Sequence, residues 1–178
     1  MGGTPTARLT VPQGSMVVLI GPAGSGKSTL AARLFPSAAV LSSDAFRARI
    51  GKGEADQSVT GAAFAALHRA LDARLAARQT TIIDATSLAP GARSALLKRA
   101  RAHGTAMVAI VLDLPPEIVL ARNVGRVDRV VPEPAVRRHL AMLRAVTDPA
   151  LAAEGFTIVH RLRSDADLAA LRIEEGAT

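Results

Sequence analysis

Met16-Val-Val-Leu-Ile20 runs straight into Gly21-Pro22-Ala23-Gly24-Ser25-Gly26-Lys27-Ser28-Thr29, and the reading of this junction decides the fold. An unbroken apolar run, with no polar residue on alternate positions, marks a strand buried on both faces of a parallel sheet. The residues that follow match G-x-x-x-x-G-K-[ST] at every position. Gly24 and Gly26 free the backbone N–H groups to face inward around a phosphate. The N-terminus of the following helix adds its partial positive charge. Lys27 is placed to reach the β- and γ-phosphates, and the Ser28 hydroxyl to hold Mg²⁺. The stretch Gly21–Thr29 is therefore expected to bind a nucleoside triphosphate such as ATP.

Outward from this junction, strand-like and helix-like segments alternate. Arg8–Val11 is a short β-like piece. Ala38–Leu41, Thr80–Asp84, Ala106–Leu112 and Phe156–His160 read as further strands. Between them, Lys27–Leu34 reads as a helix stopped by Pro36, and Thr60–Arg78 carries Phe64, Leu67, Leu71 and Leu75 at helical spacing. Pro90–His103 is a helix closed by Gly104, a further one opens at Pro115-Pro116, and Pro132–Thr147 and Asp165–Ile173 complete the set. Such alternation predicts an α/β fold: a three-layer sandwich around a five-stranded, mostly parallel sheet. Numbered from Met16–Ile20, its strands are expected in the order 2-3-1-4-5, by analogy with nucleoside-phosphate kinases. Residues 1–178 are expected to form a single P-loop domain with a helical lid at about 122–140. Met1–Thr6 reads as a loose start.

Composition narrows the function classes. Of the 178 residues 49% are hydrophobic, yet no apolar run approaches the roughly 18–20 residues of a membrane span. The N-terminus lacks a signal-peptide pattern, so a cytoplasmic protein without membrane attachment is expected. Cysteine is absent, which excludes disulfides, thiolate catalysis and cysteine-ligated metals. With four Phe, no Trp and no Tyr, aromatic platforms are a poor basis for nucleic-acid binding. The net charge of +7 rests on 19 Arg against 3 Lys, beside 36 Ala. Both a polyanionic partner and a codon bias toward Ala and Arg account for that balance. The four His show no metal-ligand spacing, and His68 and His103 read as structural.

Three further segments fall where open α/β sheets place their ligands, beyond the C-terminal ends of strands. Asp84 ends the Ile82-Ile83-Asp84 run, either as a carboxylate near the metal or as a cap for Ala85-Thr86-Ser87. Asp44 and Arg47 follow the second sheet strand and share a helix face at a spacing of three. The pair suits a general base beside a phosphate-binding guanidinium, and equally a capping Asp with a surface ion pair. Arg122, Arg126, Arg129, Arg137, Arg138 and Arg144 crowd the stretch from Ile118 to Arg144, opposed only by Asp128 and Glu133. Arginine's planar fork suits a phosphoryl group in transfer, which reads as a lid; the alternative is a solvated basic face. Gln57 lies in a polar loop, within reach of a substrate or simply solvated.

Four pieces together resemble the 5′-hydroxyl polynucleotide kinases, most closely the kinase module of bacterial RNA-repair polynucleotide kinase–phosphatases. They are Gly-Pro-Ala-Gly-Ser-Gly-Lys-Ser at 21–28, Leu-Ser-Ser-Asp-Ala-Phe-Arg at 41–47, Ile-Asp-Ala-Thr at 83–86, and Arg-Asn-Val-Gly-Arg-Val-Asp-Arg-Val-Val-Pro at 122–132. The second and fourth pieces are the specific ones, and the resemblance spans roughly residues 8–165. It implies that Asp44 is the general base for a 5′-hydroxyl and that Arg47 holds a phosphate of the acceptor strand. It implies that Asp84 orients Arg47, with Thr86 on the same substrate side. It also implies that Arg122 and Arg126 touch the ATP phosphates from the lid, with Arg129 in the same motif. Family members carry phosphatase and ligase modules after the kinase, so such modules are expected in a longer parent chain or the kinase stands alone. Val124-Gly125 stands where more basic residues would be expected.

These readings converge on transfer of a γ-phosphate from ATP or another NTP, with Mg²⁺, to the 5′-OH end of RNA or DNA in end repair. A small-molecule kinase acting on a sugar or antibiotic hydroxyl would share the phosphate loop, the base and the lid. An NTP-driven switch would leave the Asp44–Arg47 pair idle.

Overall fold

In the computed structural model of the chain, which describes residues 8–53, 56–127 and 129–176, the apolar run Met16–Ile20 (β2) is the central strand and every residue in it is buried. Met1–Thr6 and Asp128 lie outside the described residues. The absence of alternation in β2 has a direct cause. Met16, Val18 and Ile20 pack on one face against Leu67, Leu71 and Leu75 of α3 (Thr60–Ala76). Val17 and Leu19 pack on the other against Leu30 and Ala31 of α1 (Lys27–Leu34). Burying each large aliphatic side chain contributes roughly 1.5–3 kcal/mol. That exceeds the roughly 1–2 kcal/mol needed to order its backbone, so the strand is most stable where both faces are covered.

Around β2 stand β3 (Val40–Ser42), β4 (Thr81–Asp84), β5 (Met107–Leu112) and β6 (Ile158–Leu162), in the order β3-β4-β2-β5-β6 with every neighbouring pair parallel. Counted from β2 along the chain, this is the expected 2-3-1-4-5 order. Parallel pairing sends all five C-terminal ends to one edge. In register, Asp84 lies beside both Leu19 and Ser42. One carboxylate is thereby set between the phosphate loop and α2 (Ser43–Ile50). Helices α4 (Pro90–Ala102), α5 (Pro116–Val124), α6 (Glu133–Leu143), α7 (Asp148–Glu154) and α8 (Asp165–Ala170) complete the layers.

The structure departs from the sequence expectation in four places. The helix expected over Asp165–Ile173 ends at Ala170, and Arg172–Gly176 is a strand, β7, pairing in parallel with β1 (Arg8–Pro12) as a separate two-stranded sheet. Its partner lies at the other end of the chain, so nothing local announces it. The expected helix Pro132–Thr147 stops at Leu143; α7 then starts from Thr147, whose hydroxyl accepts from the Ala150 amide, with Pro149 in its first turn. A helix continuing from α6 would need an N–H at Pro149 to bond the carbonyl four residues back, where its ring clashes instead, so the run breaks and restarts with the proline in a first turn. The fifth sheet strand lies two residues later than expected, at Ile158–Leu162. In α3 the buried stripe is Ala63, Leu67, Leu71 and Leu75, and Phe64 turns to its edge, half-buried. No helix among the described residues is long and apolar enough to cross a membrane.

Candidate functional site

The phosphate loop leaves β2 and enters α1 through two residues that only glycine fits comfortably. Gly26 caps α1 at φ 94° with no side-chain bond to the helix N-terminus, so the first amides of α1 face outward unsatisfied by the chain's own caps. Gly24 has φ 85°, and a Cβ there would stand 2.5 Å from the Val119 carbonyl of α5. The loop is thus pressed against the base of the arginine-rich arm. Lys27 is buried and its Nζ donates to the carbonyls of Gly21 and Pro22 at 2.9 and 2.8 Å. Burial lowers its pKa from 10.5 to about 8, with Asp84 pulling it up and Arg126 pushing it further down. Ser25 is fully buried, its hydroxyl turned onto the Pro22 carbonyl at 2.8 Å, so it shapes the loop from inside.

Ser28 Oγ donates to Asp84 Oδ2 at 2.7 Å. This joins the phosphate loop to the carboxylate at the end of β4. The two oxygens are hard donors of the type a small divalent cation accepts. Among the described residues no group of three or more His, Asp or Glu is arranged to enclose a metal ion.

A first cavity of ≈ 650 Å³ lies between α1 and α8, lined by Gly26, Lys27, Thr29, Arg33, Arg122 and Leu168 among others. That is within the roughly 300–1,000 Å³ of small-molecule sites. Arg122 reaches it from α5 and pairs with Asp165 at 2.6 Å, linking the arm to the first turn of α8. Arg33 donates to the Leu171 carbonyl at 3.1 Å and to that of Leu168. Sequence reading passed over Arg33, Asp165 and Leu168, because α8 meets α1 only through the fold.

A second cavity of ≈ 280 Å³ holds Asp44, Arg47, Gln57, Thr86, Arg129 and His139. Ser42 caps α2 by accepting from the Ala45 amide, which puts Asp44 in its first turn and Arg47 one turn on. Arg47 is buried and ion-paired with Asp44; Arg129 stands 3.5 Å from the same carboxylate oxygen. Two guanidinium groups therefore converge on Asp44, whose side chain remains one-third exposed to the cavity. Arg129, expected with the nucleotide phosphates, stands on this second cavity against Asp44. Gln57 lines it too, as does His139 from α6. The Nδ1 of His139 is buried without a hydrogen-bond partner among the described residues, and burial, with Lys27 and Arg138 nearby, holds its pKa below the ordinary value.

Lys27, Ser28 and Arg126 line both cavities, so the two spaces meet at the end of the phosphate loop. The arm that carries Arg126 and Arg129 is closed at its base by Asn123, itself buried. Its Nδ2 donates to the Val131 carbonyl at 2.7 Å and its Oδ1 accepts from the Val131 amide at 3.1 Å. The sequence pattern showed the arginines but gave no sign of this clasp.

The family AAA_33, described as an AAA domain, matches residues 16–150. No curated protein matches the sequence. A chain of the Pnkp1/Rnl/Hen1 RNA repair complex superposes with a TM-score of 0.65 at 23% identity; the match covers 77% of this chain and 45% of that one. A gluconokinase from Sinorhizobium meliloti 1021 superposes with a TM-score of 0.54 at 18% identity, covering 89% and 87% of the two chains. Chaetomium thermophilum Kti12 in complex with ADP-AlF3 gives 0.65 at 17% identity, covering 87% and 92%. At these identities the likeness is one of fold.

Proposed function

Given that this chain belongs to the AAA_33 family of AAA domains and has the P-loop kinase fold, we propose that it transfers the γ-phosphoryl group of ATP to the 5′-hydroxyl end of RNA or DNA, in nucleic-acid end repair. One observation carries the reading: a nucleotide-sized cavity and a cavity holding Asp44 meet at Lys27, Ser28 and Arg126. A triphosphate on the α1 N-terminus would point its γ-phosphate at that junction, in line with a hydroxyl beside Asp44.

The attacking oxygen forms its bond to the γ-phosphorus as the bond to the β–γ bridging oxygen breaks. Asp44 accepts the hydroxyl proton, and ADP carries away the bond's electron pair. Lys27 and Arg126 face the equatorial oxygens, where charge redistributes, and Arg122 holds the donor from the arm. Arg47 and Arg129 flank Asp44, placed to hold a phosphate next to the reacting end. Mg²⁺ fits the Ser28–Asp84 oxygen pair: it binds through few protein ligands, retains water, and when present neutralises phosphate charge. Catalysis is positioning plus charge stabilisation.

The small volume of the second cavity, with sugar kinases among the similar folds, favours one rival: a small polyol acceptor. Incubation with Mg²⁺ and γ-labelled ATP beside 5′-OH oligonucleotides, gluconate and a panel of hydroxyl acceptors separates the two. Label on the oligonucleotide alone is the expected result; label on gluconate alone overturns the reading. Hydrolysis with no acceptor labelled would point to an NTP-driven switch. Within the oligonucleotide reading, Arg47→Ala raises KM for the oligonucleotide and leaves a 5′-OH nucleoside without a 3′-phosphate little changed.

A further inference from the structure

His139 lines the second cavity, and the transfer described above gives it no task. Its place is fixed by packing. The Asn123 clasp ends at Val131, and α6 begins two residues later, capped by Pro132. Val136, fully buried, clusters with Ala23 of the phosphate loop, Val119 of α5 and Val131. His139 follows at a spacing of three and falls on the same helix face. Leu143, four residues further on, continues that face into the main core. Helix α6 is thus seated on the phosphate loop, and His139 reaches the space that Lys27, Ser28 and Arg126 also line.

The surroundings decide what an imidazole can do there. Lys27, Arg47, Arg126 and Arg129 line this cavity against Asp44 and Asp84. A further cation would be repelled, and the ring is neutral: burial, with Lys27 and Arg138 nearby, holds its pKa below the ordinary value. A neutral imidazole has one N–H donor and one bare nitrogen. Nδ1 is walled in with no partner among the described residues. A buried N–H without an acceptor is rarer than an under-satisfied acceptor, so the proton is assigned to Nε2. The carboxylates of the cavity are engaged. Asp44 is held by Arg47 and Arg129, and Asp84 accepts from Ser28. This leaves the Nε2 donor for an oxygen that a ligand brings.

We propose that His139 is a catalytic residue of the transfer: its Nε2–H donates to an oxygen of the γ-phosphoryl group as that group crosses from the first cavity to the second. The proton stays on the ring. Bond making at the acceptor oxygen, bond breaking at the β–γ bridging oxygen and proton loss to Asp44 are unchanged. His139 supplies a directed donor where charge redistributes, without adding a full charge to a site already rich in cations. The inference rests on the phosphoryl-transfer reading above and is independent of which hydroxyl accepts.

The test is single-turnover transfer from γ-labelled ATP with Mg²⁺ to whichever acceptor the parent protein labels, or to water if it labels none, beside titrations with ADP. His139→Leu fills the space and offers no donor. It is expected to slow transfer about 10²-fold, the scale of one lost oxyanion donor, with ADP affinity and acceptor KM within about twofold of the parent. His139→Gln carries an amide N–H to the place of Nε2 and should recover most of the loss. His139→Asn, whose amide falls nearer Nδ1, should recover little. Thermal melts verify folding, and should His139→Leu fail to fold, the Gln and Asn variants decide alone. An unchanged rate in His139→Leu overturns the proposal and makes the ring a wall. So does a loss confined to acceptor KM, or a rate in His139→Asn equal to that in His139→Gln. Label on gluconate alone removes the polynucleotide reading and leaves this test standing. A parent protein that transfers to no acceptor and not to water removes the phosphoryl-transfer reading and the role of His139 with it.

Discussion

The two halves of the site are assembled in opposite ways. The phosphate side draws on one unbroken stretch, Gly21–Thr29, whose geometry is set by a strand, two glycines at positive φ and the first turn of α1. The side beyond Lys27 draws Asp44 and Arg47 from α2, Gln57 and Phe64 from the region of α3, Thr86 from beyond β4, and Arg129 and His139 from the arm and α6. A contiguous loop carries its chemistry wherever a strand–helix junction can hold it. A composite cavity exists only when distant segments arrive together, and each segment can change the acceptor without disturbing the phosphate grip. A gluconokinase, a chain of the Pnkp1/Rnl/Hen1 RNA repair complex and Kti12 share this fold.

The sharpest way to break this comparison is to damage each half separately. Asp44→Asn keeps size and shape but cannot take a proton; it is expected to lower kcat by roughly 10²–10⁴-fold while ADP affinity stays within about twofold. Lys27→Ala should cost on the order of 10²–10³-fold in kcat and weaken ADP binding as well. Single-turnover rates and calorimetric ADP titrations decide it. Parallel loss of ADP affinity in Asp44→Asn would make the two halves one unit.

Next in size is the clasp between them. Asn123→Ala leaves the Val131 amide and carbonyl without their partner, at about 1–3 kcal/mol of stability. The melting temperature should fall by about 2–4 °C per kcal/mol lost for a chain of this length. Because Arg126 and Arg129 are carried by the clasped segment, kcat should drop roughly 10–100-fold, with a smaller change in ADP affinity. A loss of stability without a loss of kcat would detach the clasp from catalysis.

The smallest effect expected is a titration of Lys27. Its pKa of about 8 is lowered chiefly by burial, and bound phosphate favours the charged form. ADP affinity should be flat below about pH 8 and weaken above it, by at most roughly tenfold per pH unit, with proton uptake on binding. Stability shifts the other way. Between about 8 and 10.5 the unfolded chain holds this proton more tightly than the folded one, so this group adds stability as pH rises. Calorimetry in buffers of different ionisation enthalpy measures the uptake, and its absence at pH 8.5 would contradict the assignment of the buried cation.

How much was legible follows the same division. Residues 16–29 announced both sheet and loop, because a doubly buried strand and a glycine-rich turn leave compositional marks at short range. Strand order followed from alternation and fold analogy. Asp44 and Arg47 are legible as a spacing; their ion pair, the approach of Arg129 and the cavity around them are not. Helical spacing puts Phe64 in the core stripe; Ala63 takes that place, since the helix's rotation against the sheet is set by all its contacts and not by its own pattern. His139 and Gln57 had no signal beyond type, and Arg93 read as one more helix arginine although it pins the Ser87 turn.

The amino-acid sequence by itself determined what depends on neighbours along the chain: a buried strand, a phosphate loop, an arginine-rich arm and the acid–arginine spacing. Tertiary structure alone decided that Ser28 meets Asp84 across a separation of 56 residues, that β7 pairs with β1, and that Arg129 faces Asp44. It also decided that a cavity lined by Phe64 and His68 opens beside the one that holds Asp44. The physical reason is that backbone propensity and periodicity act within a few turns. A cavity is the space left between elements, and its walls are fixed only when the sheet register and helix packing are complete.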